Sequence, residues 1–217
     1  MDNKQIYQSF FDMSGTYNPI EIFKDFVSVC AISLSNSRES DRDIQKAREN
    51  EYLQIVKKHG KEKIMIFSRL FGELVKLFEN EINDYLGEIY MAINANSKIS
   101  GQFFTPYHIS KMVAELAGSS IMDFCSMTEP ACGSGGLILA ASNLLKSKGI
   151  PYQEIMSVTA YDLDFMCVQM TYVQLSILGI KGTVINANAL SDCRNIDKRQ
   201  VWKTPTQHNL EARYGNE

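Results

Sequence analysis

The feature that most constrains the fold of this 217-residue chain is a glycine-rich segment at residues 129–136, which reads EPACGSGG. A short, mostly apolar segment at 121–128 precedes it, and a run with helical character at 137–148 follows it. This order predicts a strand, a turn and a helix. In such a turn Gly133 and Gly135 adopt backbone angles that are closed to residues with side chains, while free N–H groups at the helix start point at a ligand. The pattern indicates a nucleotide-cofactor site, although glycine-rich turns also occur in loops that bind nothing.

A second apolar run, at 158–164, ends in acidic residues and reads VTAYDLD. At this place doubly wound folds hold a carboxylate that accepts hydrogen bonds from ribose hydroxyls, and Asp162 is the better candidate for that role. The alternative makes Asp162 and Asp164 the N-cap and the first-turn acid of the next helix. The pattern favours such a structural role for Asp164 in either case.

Upstream of the glycine-rich segment, residues 101–106 read GQFFTP. Thr105 is a natural N-cap, and Pro106 is a natural first residue of a helix. Apolar residues then follow at helical spacing, namely Ile109, Met112, Val113 and Leu116. The segment therefore predicts a turn followed by an amphipathic helix.

These segments together resemble the adenine-N6 DNA methyltransferases, specifically the modification subunits of type I restriction-modification systems. The resemblance rests on motifs in a fixed order: GQFFTP, EPACGSGG, AYDLD at 160–164 and NANAL at 186–190. It extends back into DYLGEIY at 84–90, so it covers residues 83–190 and, more loosely, the helical region before them. It implies S-adenosylmethionine as the cofactor. It also implies DNA as a partner, reached through a complex in which a specificity subunit recognises the sequence.

The resemblance implies a set of cofactor-binding residues as well. Asp162 would bind the ribose hydroxyls, Leu163 would touch the adenine ring, and Asn188 would sit at the edge of that ring. The residues that would flank the methionine end are Phe104, Thr105 and Pro106. The residues that would lie under the methionine and the ribose are Glu129, Ala131, Gly133, Ser134, Gly135 and Gly136.

The catalytic tetrapeptide of the family, Asn-Pro-Pro followed by Tyr or Phe, has no counterpart in this chain. The prolines are Pro19, Pro106, Pro130, Pro151 and Pro205, and no two of them are adjacent. In the family that loop holds a flipped adenine, and its contacts align the acceptor nitrogen with the methyl group. We therefore assign no catalytic residue. We expect Trp202 and the pair Thr204-Pro205 to lie at a surface or partner contact.

The expected fold is α/β: a helical N-terminal region, then a partial Rossmann-like, doubly wound sheet as in the class I S-adenosylmethionine-dependent methyltransferases. The helical region is expected at 1–99, the cofactor-binding half-domain at 100–190 and a polar C-terminal tail at 191–217. The expected strands and helices of the half-domain are 126–129, 137–148, 158–161, 165–178 and 183–186, in alternation.

The sequence after Leu190 contains no apolar run long enough for a buried strand. The first strand is therefore expected to have an open edge, at the place where doubly wound folds receive a fourth strand. Proteins normally cover such edges. We expect a partner chain, a homodimer or the N-terminal helices to occupy this one.

The N-terminal region is expected to be helical, with one helix opening at Asn18-Pro19 and two more at 43–58 and 62–80. A basic cluster at 57–63 favours a solvated turn between helices over a phosphate contact. The net charge of −3 lacks the electrostatic signature of an autonomous DNA binder.

Cysteines, histidines and hydropathy indicate a reduced, cytoplasmic protein. The five cysteines are odd in number and show no paired short spacing, and the three histidines are scattered, which predicts neither disulfides nor a metal site. No stretch approaches the roughly twenty apolar residues that span a bilayer, and the start of the chain does not resemble a signal peptide.

Three hypotheses about function follow. The first is an adenine-N6 DNA methyltransferase-like protein that binds S-adenosylmethionine. The second is a catalytically inactive relative in which the cofactor fold serves binding or protein interaction. The third is one half of a split methyltransferase whose catalytic tetrapeptide arrives on another polypeptide. The missing Pro-Pro loop weighs against catalysis by this chain alone and does not separate the second hypothesis from the third.

Overall fold

A computed structural model describes residues 2–15, 17–95, 103–117, 126–191 and 196–214. The first part of the chain is helical, with α1 (Asn3–Asp12), α2 (Pro19–Asn36), α3 (Arg42–Asn80), α4 (Tyr85–Ala95) and α5 (Tyr107–Ala117). The elements that follow are β1 (Ser126–Glu129), α6 (Gly136–Ser147), α7 (Tyr152–Ile155), β2 (Ser157–Asp162), α8 (Phe165–Ile177), β3 (Lys181–Asn186), a 3₁₀ turn (Lys198–Gln200), β4 (Val201–Lys203) and α9 (Pro205–Tyr214).

The expected fold class is confirmed: a helical region precedes a partial sheet of alternating strands and helices. Strands lie in the order β1, β2, β3, β4, and the first three are parallel. Each predicted strand and helix of this part is present within two residues of its expected bounds. The boundary expected at residue 99 stays a prediction, because it falls outside the described residues.

Local sequence signals explain where the helices begin and break. The side chain of Asn18 accepts a hydrogen bond from the N–H of Ile20, and Pro19 occupies the first turn of α2. Gly60 has φ 75° and ψ 164°, so it interrupts α3 and separates the two helices predicted there. Helix α5 starts at Tyr107, one residue later than the cap pattern suggests, because the Pro106 carbonyl accepts its first hydrogen bonds.

Helix α8 joins the helical region to the sheet. It packs against β2 and β3 on one side and against α2 and α4 on the other, and all of its residues from Met166 to Leu175 are buried. Its apolar residues are spread around the helix, and such a helix needs an enclosed position, in which its buried polar side chains form hydrogen bonds. The Ser28 hydroxyl of α2 also donates a hydrogen bond to Gln169 of α8, at 2.8 Å.

The basic cluster lies at the interruption of α3 and contacts its own fold. The Lys58 ammonium lies 2.6 Å from carboxylate oxygens of both Glu21 and Asp25, on α2. His59 is buried and contacts Asp25 at 2.6 Å, and Lys63 donates to the Met13 carbonyl. The expectation of a solvated turn is therefore wrong for His59, because the acids of α2 draw this part of the cluster inward.

The strand β4 corrects two expectations about the end of the chain. It pairs antiparallel with β3, where Trp202 lies opposite Val184, although no strand was expected after Leu190. Trp202 is only 1% exposed, and Thr204 is fully buried, donating to the Ile180 carbonyl, so neither is a surface residue. Strand β4 has three residues, and only Trp202 among them is buried. One buried side chain forms no alternating pattern, so the sequence does not reveal such a strand.

Strand β1 pairs with β2 along one edge, with Glu129 opposite Ala160, and no described strand lies along its other edge. The open edge expected there therefore holds for the part of the chain that the structure describes. Three cysteines, Cys30, Cys132 and Cys167, are buried thiols that form no disulfide, and Cys125 and Cys193 lie outside the described residues. Among the described helices, none is both long and apolar enough to cross a membrane.

Candidate functional site

The glycine-rich turn between β1 and α6 forms the floor of the candidate site. Gly133 and Gly135 have φ of 52° and 95°, which side-chain-bearing residues rarely adopt, so the conformation expected of them is confirmed. A Cβ atom on Gly133 would lie 3.1 Å from the ring of Phe104, and one on Gly135 would lie 3.2 Å from Oγ1 of Thr171. That hydroxyl donates to the Gly133 carbonyl at 2.9 Å. The turn therefore contacts Phe104 at Gly133 and Thr171 at Gly135.

The two acids after β2 have separate roles. Asp164 is the N-cap of α8, since its carboxylate accepts from the N–H of Met166 at 2.8 Å. Asp162 does not cap the helix. Its two oxygens accept from the N–H of Gly133 and from the N–H of Asp164, both at 2.9 Å. Asp162 therefore ties the glycine turn to the end of the neighbouring strand and leaves further lone pairs for a ligand.

Glu129 ends β1 beside Asp162, which ends β2. Its carboxylate accepts from the N–H of Ala131 at 3.2 Å and is half-buried. Burial raises the pKa of the Glu129 carboxyl, and the negative charge of Asp162 adds to that rise. Two carboxylates thus meet at the carboxyl ends of adjacent parallel strands, where open α/β sheets bind ligands.

These groups surround a cavity of about 440 Å³. Its lining includes many of the residues that the resemblance implied, namely Phe104, Thr105, Glu129, Ala131, Gly133, Ser134, Gly136 and Asp162. Residues that the sequence did not indicate also line it, namely Phe103, Ser110, Val113, Cys132 and Leu137. Ser110 and Val113 lie on α5 within two turns after Pro106. Helical spacing counted from the GQFFTP motif could therefore have located them in the sequence.

The other implied residues lie outside this lining. Pro106 lines a neighbouring cavity of about 450 Å³, and Gly135 lies within the turn itself. Leu163 is 74% exposed. Asn188 follows β3, where its side-chain oxygen accepts from the N–H of Leu190.

Asn186, at the end of β3, supports the acidic loop and was not singled out by the sequence. Its amide donates to the carbonyls of Asp162 and Leu163, each at 3.0 Å. The N–H of Ala187 donates to the same Asp162 carbonyl at 3.1 Å. Strand β3 thereby fixes the backbone of Asp162 without touching its carboxylate.

Cys132 lies in the turn as a buried thiol. Burial raises the pKa of the Cys132 thiol to about 12, and its sulfur lies 3.4 Å from the Thr171 hydroxyl, whose hydrogen goes to the Gly133 carbonyl. Since the thiolate is the reactive form, this environment disfavours nucleophilic chemistry at Cys132. Among the described residues, no group of three His, Cys, Asp or Glu side chains is arranged to hold a metal ion.

Comparison with known proteins relates this site to one family. The family model described as N-6 DNA Methylase matches residues 81–206. The type I restriction enzyme MjaIX methylase subunit of Methanocaldococcus jannaschii is 30% identical over 135 residues, which cover 58% of this chain and 23% of that protein. The chain thus spans less than a quarter of the length of this curated relative.

Two solved structures are similar in part. A protein from Listeria monocytogenes, described as a class I S-adenosylmethionine-dependent methyltransferase, aligns with a TM-score of 0.49 and 18% identity, over 81% of this chain and 56% of that one. The type I restriction-modification methyltransferase subunit of Streptococcus thermophilus aligns with a TM-score of 0.43 and 12% identity, over 91% and 61% of the two chains. The family model, in contrast, matches more than half of this chain, and the motifs it spans are those that build the cavity. The chain therefore belongs to the N-6 DNA methylase family.

Proposed function

We propose that this chain binds S-adenosylmethionine in the cavity beside the glycine turn and acts as the cofactor-binding part of an adenine-N6 DNA methyltransferase. The observation that carries the proposal is the joint placement of the turn, Glu129 and Asp162 around one cavity of about 440 Å³. Membership of the N-6 DNA methylase family supports it. When bound, S-adenosylmethionine supplies an electrophilic methyl group on a sulfonium centre.

The residues fit such a cofactor by shape and by chemistry. At Gly133 the positive φ disfavours a side chain, and a Cβ atom would lie 3.1 Å from the Phe104 ring, so glycine lets the main chain approach a ligand closely. Asp162 is half-buried with two backbone donors on its oxygens, which holds the carboxylate in a fixed orientation. We assign the ribose hydroxyls to Asp162, because a carboxylate accepts up to about four hydrogen bonds.

The aromatic side of the cavity suits the remainder of the cofactor. Phe104 contacts Tyr90 of α4 with ring centres 5.1 Å apart, so its position is fixed from the helical region. We assign Phe104, Thr105 and Pro106 to the methionine end, and Leu163 and Asn188 to the adenine ring. The exposed side chain of Leu163 is free to cover a flat ring, which would bury apolar surface on binding.

We further propose that methyl transfer to DNA requires a second polypeptide or segment. An acceptor nitrogen must be held in line with the methyl group, and no Asn-Pro-Pro-aromatic sequence occurs in these 217 residues. The candidates are a catalytic partner that carries such a sequence and a specificity subunit that brings the DNA. A purely regulatory cofactor-binding module is the second candidate function, and the same missing sequence favours it.

Isothermal titration calorimetry with S-adenosylmethionine and its demethylated product tests the proposal. Asp162→Ala removes the acceptor for the ribose hydroxyls, so we expect a loss of about 1–3 kcal/mol, or about 5- to 150-fold in Kd. Asp43→Ala removes an exposed carboxylate from α3 and serves as the matched control. Absence of heat with the wild-type chain, or equal affinity of Asp162→Ala and the wild type, would contradict the proposal.

A further inference from the structure

The carboxyl group of Asp84 lies buried under the glycine turn, at the start of α4. Asp84 is 3% exposed. One of its oxygens, Oδ1, accepts from the N–H of Gly87 at 3.0 Å, and its carbonyl accepts from the N–H of Glu88 at 2.9 Å. Asp84 therefore acts as the N-cap of α4.

The same carboxyl group also reaches the turn and α8. The Ser134 hydroxyl donates to Oδ2 of Asp84 at 2.5 Å. The amide of Gln174 donates to Oδ1 of Asp84 at 2.9 Å and to the Ser134 carbonyl at 2.7 Å. Three elements thus meet at one carboxylate: α4, the turn before α6, and α8.

Two glycines provide the space that this contact needs. A Cβ atom on Gly87 would lie 2.5 Å from the Ser134 hydroxyl and would collide with the Asp84 carboxylate. A Cβ atom on Gly136 would lie 3.2 Å from the same carboxylate. The carboxylate is therefore enclosed between the amino ends of α4 and α6, and the positive ends of helix dipoles favour an anion there.

The hydrogen-bond donors around the Asp84 carboxyl group are all neutral. Burial raises the pKa of the Asp84 carboxyl, while the hydrogen bonds from Ser134, Gln174 and Gly87 oppose that rise. A buried acid with a full set of donors specifies one arrangement of the groups around it. Here those groups include Ser134, which lines the 440 Å³ cavity, whereas Asp84 is outside its lining.

We propose that Asp84 is a positioning residue for the cofactor site. This proposal rests on the proposed function. The Asp84 carboxylate fixes Ser134 and the turn, and so couples cofactor binding to the docking of α4. The single hydroxyl hydrogen of Ser134 is committed to Asp84, so this contact fixes the Ser134 side chain, which is only 2% exposed, and with it the turn that lines the cavity. The segment at 84–87 thus helps to position the cofactor site, although it precedes the turn by about fifty residues in sequence.

The substitution Asp84→Asn tests this role with little change in volume. The asparagine oxygen still accepts from Gly87 and Gln174, but its amide donates to the Ser134 hydroxyl and reverses the polarity of that contact. The matched control is Asp41→Asn. Asp41 is the N-cap of α3 and accepts from the N–H groups of Asp43 and Ile44, and asparagine caps helices equally well.

The experiment measures cofactor affinity by calorimetry and amide exchange of 130–136 by mass spectrometry, in the full chain. Asp84→Asn should weaken S-adenosylmethionine binding about tenfold and speed exchange in the turn, while Asp41→Asn should change neither. In a Ser134→Ala background Asp84→Asn should cost no further affinity, because its effect passes through Ser134. A purely structural role would lower thermal stability and leave affinity unchanged, or would give equal losses in both backgrounds, and either result overturns the proposal.

Two further outcomes separate the possible failures. If the wild type binds no cofactor, the proposed function fails, and amide exchange at 130–136 alone tests the role of Asp84. Unchanged exchange in Asp84→Asn then overturns that role, and faster exchange supports it. If Asp84→Asn does not fold, Ser134→Ala decides. Its loss of affinity with faster exchange in the turn supports the inference, and wild-type values for both overturn it.

Discussion

At the residue scale, the candidate site shows how two acids two positions apart take different roles. Asp164 accepts from the N–H of Met166 and caps α8, whereas Asp162 accepts from the N–H of Gly133 and faces the cavity. Sequence pattern favoured this division, because an acid at the end of a strand and an acid before a helix have different partners. Glu129, at the end of the adjacent strand, adds a second carboxylate to the same cavity.

Glu129 gives a prediction about the pH dependence of stability. Burial and the nearby Asp162 raise the pKa of Glu129 above its ordinary value of 4.5. The folded state therefore holds this proton to higher pH than the unfolded chain, so the free energy of unfolding falls as pH rises through the interval between the two pKa values. Glu129→Gln removes this contribution. The melting temperature of the variant minus that of the wild type should therefore increase from pH 4 to pH 8. Parallel melting curves across that range would contradict the assignment.

At the element scale, the sequence predicted the elements whose signals are local. Helix α8 and strands β2 and β3 were located within two residues, because caps and apolar runs mark them directly. Strand β4 was missed, because three residues are too few to show an alternation of apolar and polar side chains. Its pairing with β3 stabilises the strand, and the local sequence does not reveal that pairing. The contact of Asp84 with Ser134 was equally hidden, because it joins residues far apart in the chain and depends on how α4 docks.

Trp202 tests the role of β4 in the fold. Its ring packs 5.3 Å from that of Tyr172, and the Arg48 guanidinium lies 3.9 Å from its centre. Arg48 also donates to the Val201 carbonyl at 2.9 Å. Trp202→Ala should therefore lower the free energy of unfolding by about 3–5 kcal/mol. The control is Leu190→Ala, at a residue that is 95% exposed. Chemical denaturation measures both, and a loss below about 1 kcal/mol at Trp202 would contradict the packing described.

At the scale of the whole molecule, two features indicate association. The outer edge of β1 has no neighbouring strand within the described part of the chain. On α5, close in sequence to that strand, several apolar side chains are exposed, namely Ile109, Met112, Val113 and Leu116. Unpaired strand edges and exposed apolar patches both favour contact with another polypeptide. The net charge of −3 differs from the strongly positive charge that is typical of an autonomous DNA binder.

We therefore expect the pure chain to self-associate. Sedimentation velocity at micromolar concentrations should give a mass above that of the monomer. The double variant Met112→Lys with Leu116→Lys should reduce that mass, whereas Leu53→Lys, at an exposed residue of α3, should not. A monomer mass that persists in the wild type as concentration rises would argue against an exposed edge that requires a partner.

The chain alone should not methylate DNA at an appreciable rate. Cofactor affinity contributes to turnover only when the acceptor nitrogen is held in line with the methyl group, and the sequence that does so in the family is absent. Incubation with tritiated S-adenosylmethionine and adenine-containing duplex or single-stranded DNA measures this. Transfer of more than one methyl group per chain into N6 of adenine would show that these residues suffice for catalysis.

The proposed function places the cofactor in one cavity, bounded by the glycine turn, Glu129, Asp162 and Phe104. A crystal structure of the chain with S-adenosylhomocysteine at saturating concentration tests this placement. We predict ligand density in that cavity, with ribose oxygens within hydrogen-bonding distance of the Asp162 carboxylate and the amino-acid end beside Phe104. Ligand density elsewhere on the chain, or an empty cavity at saturation, would show that this cavity is not the cofactor site.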